Sequence, residues 1–262
     1  MEMPGMQKGS TEMSSTQRHS MDFEQSLALA DSLPDSLPPL AVDIDGTLTD
    51  TTRAVDPRVF PVLQAWPATV VIATGKAMPY PVALCEFLGI EKCVIAENGG
   101  VVVPGRDAEV RFLADPSATD AVASEYRERG HDIGWGKADL VNRWRETELA
   151  VSRESPLDPL EEIAAQYNLT VVDTGYAYHV HSTAVNKGVG LQTMANELGL
   201  EPDSFAFVGD SQNDVPGFER AGTAITVANA PDPVKQKADH VTMSSYGDGF
   251  LEAIMWLCDE SE

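Results

Sequence analysis

Asp43-Ile44-Asp45-Gly46-Thr47 places two carboxylates two residues apart, where an apolar run from Leu40 to Ile44 meets a glycine. If that run is a strand, side chains two apart share a face, so both acids can address one small ligand. Gly46 lets the backbone turn sharply just beyond them. One carboxylate is an available nucleophile toward phosphorus at neutral pH, giving an acyl phosphate that water later cleaves. The other can protonate a departing alkoxide and then take a proton from the attacking water. By themselves these residues read equally well as a capped turn, where Asp and Gly are common.

A second acidic cluster shifts that balance. Gly209-Asp210-Ser211-Gln212-Asn213-Asp214 lies about 165 residues downstream and again follows an apolar run, Phe205 to Val208. Mg²⁺ is a hard cation that takes oxygen ligands from a few carboxylates and leaves the rest to water and phosphate. Crowding these acids without a cation would be opposed by like-charge repulsion. A capped helix start at Asp210 or Ser211 is compatible with the same residues. Thr74 and Gly75 end a third apolar run, Thr69 to Ala73, and offer a hydroxyl and backbone amides to phosphoryl oxygens. Lys187 follows Asn186 at an expected helix start, where a fixed positive charge adds to the helix dipole. Lys76 could act similarly, although a solvated loop lysine is the commoner situation.

These groups meet only if the elements that carry them are neighbours. Apolar strands are expected at Leu40 to Ile44, Thr69 to Ala73, Cys93 to Ala96, Phe205 to Val208 and Ala224 to Ala228, with a short one at His240 to Met243. Helices are expected from Asp56-Pro57, near Pro79 to Leu88, Lys187 to Leu198, Asp214 to Ala221 and at the carboxyl end. Continuous apolar strands alternating with helices indicate a parallel sheet covered on both faces. In open α/β sheets ligands bind outside the carboxyl ends of the strands, which is where each polar cluster falls.

The middle of the chain reads differently. A hairpin is expected from Val101 to Leu113, then a charged helix near Pro116 to Arg129, a strand at Leu149 to Ser152 and a helix near Pro156 to Tyr167. Strands at Leu169 to Asp173 and Tyr176 to Ser182 complete a compact α+β unit. The fold class expected is therefore α/β, a doubly wound and mostly parallel sheet with an inserted α+β cap. The boundaries expected are 39–78 and 184–262 for the core and 79–183 for the cap. Residues 1–38, rich in Ser, Met, Gln and Pro, are expected to be a disordered arm, and Met21 stands as an alternative initiator.

Bulk composition excludes several function classes. The chain has 262 residues, 41 acidic against 18 basic, for a net charge of -23. Such a surface repels nucleic acid and anionic membranes. Acidity with only seven lysines beside eleven arginines fits a protein kept soluble in concentrated salt. No apolar run approaches the roughly 20 residues that a membrane helix needs, and the amino terminus carries no apolar signal-peptide core, so the expected compartment is the cytoplasm. Cys85, Cys93 and Cys258 lack the spacing of a zinc site or a redox pair and read as thiols in a reducing compartment. His179 and His181 share one face of an expected strand and read as structural or exposed groups. Nothing in the sequence sets an oligomeric state.

Asp43-Ile-Asp-Gly-Thr-Leu-Thr, Ala73-Thr-Gly-Lys, Asn186-Lys-Gly and Gly209-Asp-Ser-Gln-Asn-Asp resemble, in order and in strand-end placement, the four motifs of the haloacid dehalogenase superfamily. The cap between the second and third motifs, opened by Ala96-Glu-Asn-Gly-Gly, resembles the branch of Cof-type sugar phosphatases, sucrose-phosphate phosphatases and archaeal phosphoglycolate phosphatases. Its short build is most similar to the last. The resemblance implies that Asp43 is nucleophile and Mg²⁺ ligand. It implies that Asp45 is the acid and base and binds the metal through its main-chain carbonyl. Thr74, Gly75 and Lys187 would hold the phosphoryl group, and Asp210 and Asp214 would complete or orient the metal site, with Asn213 supporting them from behind. The implied substrate is a small phosphorylated metabolite, 2-phosphoglycolate first and a sugar phosphate as the alternative. Arg143, Arg145 and Lys137 are candidates for a substrate carboxylate, each with a solvated cap surface as the commoner reading. Lys76 stands where this branch more often has Arg, and the long amino-terminal arm also departs from the pattern. A catalytically silent binding protein would be expected to lack one of the two leading aspartates, and both are present. A mutase-like transfer to another acceptor remains open.

Overall fold

The computed structural model describes residues 20–260. Elements follow one another as α1 (Phe23–Asp31), β1 (Leu40–Val42), α2 (Val59–Ala65), β2 (Val70–Ala73), α3 (Pro79–Leu88), β3 (Cys93–Ala96), β4 (Val101–Pro104) and β5 (Arg111–Phe112). The middle comprises α4 (Pro116–Glu128), β6 (Leu149–Ser152), α5 (Leu157–Gln166), β7 (Leu169–Asp173) and β8 (Ala177–Ser182). The chain closes with α6 (Lys187–Leu198), β9 (Ala206–Gly209), α7 (Val215–Phe218), β10 (Thr223–Thr226), α8 (Asp232–Lys235), β11 (His240–Val241) and α9 (Tyr246–Asp259).

Eight strands form one sheet in the order β11-β10-β9-β1-β2-β3-β4-β5. Pairing is parallel from β11 through β3, and β4 and β5 turn antiparallel at one edge. Successive side chains on a strand point to opposite faces, and the two cores follow that rule. Leu40, Val42, Ile72, Val94 and Val208 pack on one face beneath α2, α3 and α9, with Phe250, Ile254 and Leu257 among their neighbours. Ala41, Val71, Ile95 and Phe207 pack on the other face against Leu191 and Met194 of α6 and Phe218 of α7. Strands buried on both sides are apolar at every position, which is why β1 to β3 carry no alternation.

A separate antiparallel sheet, in the order β6-β8-β7, is covered by α4 and α5. Val122 and Tyr126 meet Leu160 and Ile163 over Leu149, Val151 and Val180. The boundary expected at residue 79 is therefore too early. Helix α3 packs on β2 and β3 of the large sheet, and β3, β4 and β5 extend it, because β3 continues the parallel ladder of β2 and β4 folds straight back on β3.

The expectation of a disordered arm also fails from Ser20 onward, while residues 1–19 lie outside the described part. Asp22 and Gln25 form a reciprocal capping box for α1, which packs on α2. Arg58 at the start of α2 donates to Met21 O, to Asp248 Oδ1 at 2.6 Å and to Asp56. Asp56 is thus occupied by the Arg58 guanidinium and backbone N–H, and α2 begins at Val59 rather than at Asp56-Pro57.

Candidate active site

β1 is the strand at which the winding direction reverses: β2 and β3 lie on one side, β9 and β10 on the other. Such a switch point opens a crevice at the carboxyl ends of the strands. Asp43 leaves β1 there, its N–H bonded to Val208 O at 2.9 Å, while Thr74 leaves β2 and Asp210 leaves β9. Three polar clusters distant in the chain therefore meet because their strands are adjacent.

Lys187 organises the acids. Its side chain has no exposed surface, and Nζ donates to Asp43 Oδ1 at 2.7 Å and to Asp214 Oδ1 at 2.6 Å. The lysine is placed by the first turn of α6, whose cap residue Asn186 accepts the Val189 N–H at 3.0 Å. Asp214 Oδ2 in turn accepts the backbone N–H groups of Asp210 and Ser211, at 3.1 and 2.9 Å, and so fixes the loop after β9. Gly46 has φ +87°, and a Cβ at that position would sit 2.1 Å from Asp210 Oδ2. Only glycine permits that approach of the two acidic loops. Asn229 ties them together, its amide shared between Gly46 O and Asp210 Oδ2 at 3.0 Å each.

Asp43, Asp210 and Asp214 each bring a carboxylate oxygen within 4.8 Å of the others. Burial is the largest influence on Asp43 and raises its carboxyl well above the usual range. Lys187 opposes the rise, and Asp214 and Asp210 add to it. Burial, and after it the charge of Asp214, pushes Asp210 up to about 7. For Lys187 burial works downward, but the charges of Asp214 and Asp43 outweigh it and hold the ammonium above its ordinary value. One lysine thus leaves the acids short of positive charge. Asp210 Oδ1 is also buried with no hydrogen-bond partner among the described residues. An orphaned acceptor in an oxygen-only donor set fits a hard divalent cation such as Mg²⁺.

A cavity of about 450 Å³ opens beside these acids, with Asp43, Asp45, Thr74, Gly75 and Asn213 in its wall. The carboxylate of Asp45 stands apart from the other three and pairs with Lys76 at 2.6 Å. Thr74 is buried, and its Oγ1 accepts the Lys76 N–H at 3.2 Å. Asn213 donates to Asn98 Oδ1 at 2.8 Å.

Asn98 was not a candidate in the sequence, nor was Glu148, to which Asn98 donates at 2.9 Å. Glu148 is fully buried, accepts from Arg145, and lies 2.9 Å from His179 Nδ1, close enough to pair but out of line for a good hydrogen bond. Burial works upward on Glu148, but Arg145 and His179 outweigh it and lower the carboxyl to about 2. Arg145 and His179 line the same cavity: Arg145 is not the solvated surface group of its commoner reading, and His179, buried against Glu148, takes the structural one of its two readings. Arg143 and Lys137 are exposed and outside the cavity wall, as a solvated reading requires. Glu97 and Asn98 adopt φ of 51° and 55° in the β3–β4 turn, uncommon for residues other than glycine. The Ala96-Glu-Asn-Gly-Gly stretch was the signal for Asn98; Glu148 has none in its local sequence.

Comparison with known proteins agrees with this geometry. The family of haloacid dehalogenase-like hydrolases matches residues 40–135 and 149–254. A phosphoglycolate phosphatase of Haloarcula marismortui is 59% identical over 217 residues, covering 83% of this chain and 96% of that protein. One from Natronomonas pharaonis is 56% identical over 216 residues, covering 82% and 96%. The crystal structure of Thermoplasma acidophilum 0175 superposes with a TM-score of 0.71 at 26% identity, covering 85% of this chain and 99% of that one. With its strand-end acids gathered at the sheet's switch point and the match spanning both halves of that sheet, the chain belongs to the haloacid dehalogenase-like hydrolases.

Proposed function

We propose that the chain is an Mg²⁺-dependent phosphatase of small phosphomonoesters, and that its substrate is 2-phosphoglycolate, hydrolysed to glycolate and phosphate in the cytoplasm. The observation that carries the chemistry is the meeting of Asp43, Asp210 and Asp214 around Lys187 beside a cavity. The substrate is supported by phosphoglycolate phosphatases of more than half identity, those of Haloarcula marismortui and Natronomonas pharaonis among them. Mg²⁺ held by Asp43, Asp210 and the backbone of Asp45, with Asp214 orienting the loop, would supply the positive charge that the phosphoryl oxygens and carboxylates lack.

Lys187 fixes one oxygen of Asp43, so the other is presented to phosphorus from a set position. An Asp43 oxygen bonds to phosphorus as the P–O bond to glycolate breaks, and the departing alkoxide takes a proton from Asp45, whose carboxyl must leave its pairing with Lys76 and be protonated for this step. Thr74 and the Gly75 amide hold phosphoryl oxygens in line. Water then attacks the aspartyl phosphate and gives its proton to Asp45, which frees phosphate and restores both acids. The smaller sheet with its helices forms the lid that limits bulk water at this step.

Hydrolysis of a panel of phosphoesters, with Mg²⁺ or with chelator and at low and molar KCl, tests the proposal. Turnover should vanish with chelator, and kcat/KM for 2-phosphoglycolate should exceed that for hexose phosphates at least about tenfold. Equal or greater preference for hexose phosphates would reverse the substrate assignment.

A further inference from the structure

The cavity wall holds three full cations, Arg53, Lys76 and Arg145, and they are not equivalent. Lys76 is paired with Asp45. Arg53 is exposed and lies over the Tyr176 ring, 5.4 Å from guanidinium carbon to ring centroid, so water screens it. Arg145 differs: its side chain is 8% exposed, and Nη1 is held by Glu148 and by Gly75 O at 3.1 Å. Nε is buried with no partner, and no described residue accepts from Nη2.

A guanidinium committed at Nη1 keeps its Nε–Nη2 edge, the edge whose two parallel N–H groups match a carboxylate. A buried N–H without an acceptor is unfavourable, and a ligand oxygen would relieve it. Glu148 fixes this fork and brings His179, also a cavity-wall residue, alongside. The bond to Gly75 O sets the cation beside the residue that follows Thr74, so a group recognised by Arg145 lies only a few bonds from the phosphoryl end.

We propose that Arg145, positioned by Glu148 and flanked by His179, recognises a carboxylate on the substrate and so selects short phosphorylated acids over neutral phosphoesters. This rests on the phosphatase reading above. The cavity alone has room for larger esters; the buried, half-committed cation is what distinguishes an acid from a sugar. A charge-assisted bond in a site sheltered from water discriminates strongly against an analogue that lacks the charge.

The test compares kcat/KM for 2-phosphoglycolate and for its amide, 2-phosphoglycolamide, which has nearly the same shape without the negative charge. Wild-type enzyme should favour the acid by roughly 10- to 100-fold. Arg145→Gln should bring the acid-to-amide ratio close to one, and Arg53→Gln should leave the ratio as in wild type. If Arg145→Gln does not fold because Glu148 is left unpaired, the double variant Arg145→Gln/Glu148→Gln removes that charge and carries the same expectation. A wild-type ratio near one overturns the assignment without any variant. So does an Arg145 variant that slows on both substrates alike and keeps the ratio, since that is the mark of a purely structural arginine. Failure of wild-type enzyme to hydrolyse either ester would instead remove the phosphatase reading.

Discussion

Among the described residues Lys187 is the one basic group buried among the site carboxylates, and its removal would leave Asp43 and Asp214 facing each other without compensation. Breaking a buried ion pair from one side destabilises by about 3–5 kcal/mol. Lys187→Met should therefore lower the midpoint of thermal unfolding by roughly 10 °C in metal-free buffer. A change of only about 2 °C would mean that the acids relax without it. Asp43→Asn is the opposite case, because Lys187 keeps Asp214 and the buried negative charge decreases. That variant should unfold at or above the wild-type temperature and lose at least about 10³-fold in turnover. Near-normal turnover would dismiss Asp43 as the nucleophile. At this scale the acids of the site were legible because each follows an apolar run and precedes a turn. Glu148 was not: it sits after Trp144-Arg145-Glu146-Thr147, a polar stretch without period, and only the packing of β6 against β8 buries it.

Among elements, adjacency mattered more than identity. The strands and most helices were readable from composition, but their order, β9-β1-β2, is a tertiary fact, and it is what brings three polar ends together. The cap boundary expected at residue 79 falls before α3 and β3, although Cys93 to Ala96 reads as one of the parallel strands, and the hydrogen bonds of β3 do belong to β2. Helix α1 was missed because Ser and Pro dominate its surroundings, and the capping box depends on only two residues, Asp22 and Gln25. The junction between the two sheets also makes a pH prediction. Glu148, just ahead of β6, has its carboxyl lowered from about 4.5 to about 2 on folding. A lowered folded value contributes stability above the unfolded value and loses it as pH falls through the folded one. Between pH 4.5 and 2 the protein should lose about 3 kcal/mol from this group alone. Glu148→Gln should flatten that acid limb in denaturant titrations, and an unchanged limb would assign acid sensitivity to other carboxylates.

Over the whole molecule, a net charge of -23 on 262 residues means that self-repulsion opposes the compact state in dilute buffer. Salt screens that repulsion within about 10 Å at 0.1 M and about 3 Å at 1 M. The unfolding temperature should thus climb from low salt to molar KCl, in keeping with relatives from halophilic archaea; a flat profile would remove salt adaptation as the reason for the composition. No helix among the described residues is long and apolar enough to cross a membrane. The segment from Ser20 to Pro39 lies before the family match yet belongs to the fold. Met21, Leu29, Ala30 and Leu33 lean on the large core, Leu37 is within it, and Pro38 O receives the Trp66 indole N–H at 3.0 Å. A chain trimmed to begin at Leu40, where the family match starts, would uncover a greasy scar next to α2. It should clump on light scattering as concentration rises, although every catalytic group survives the cut.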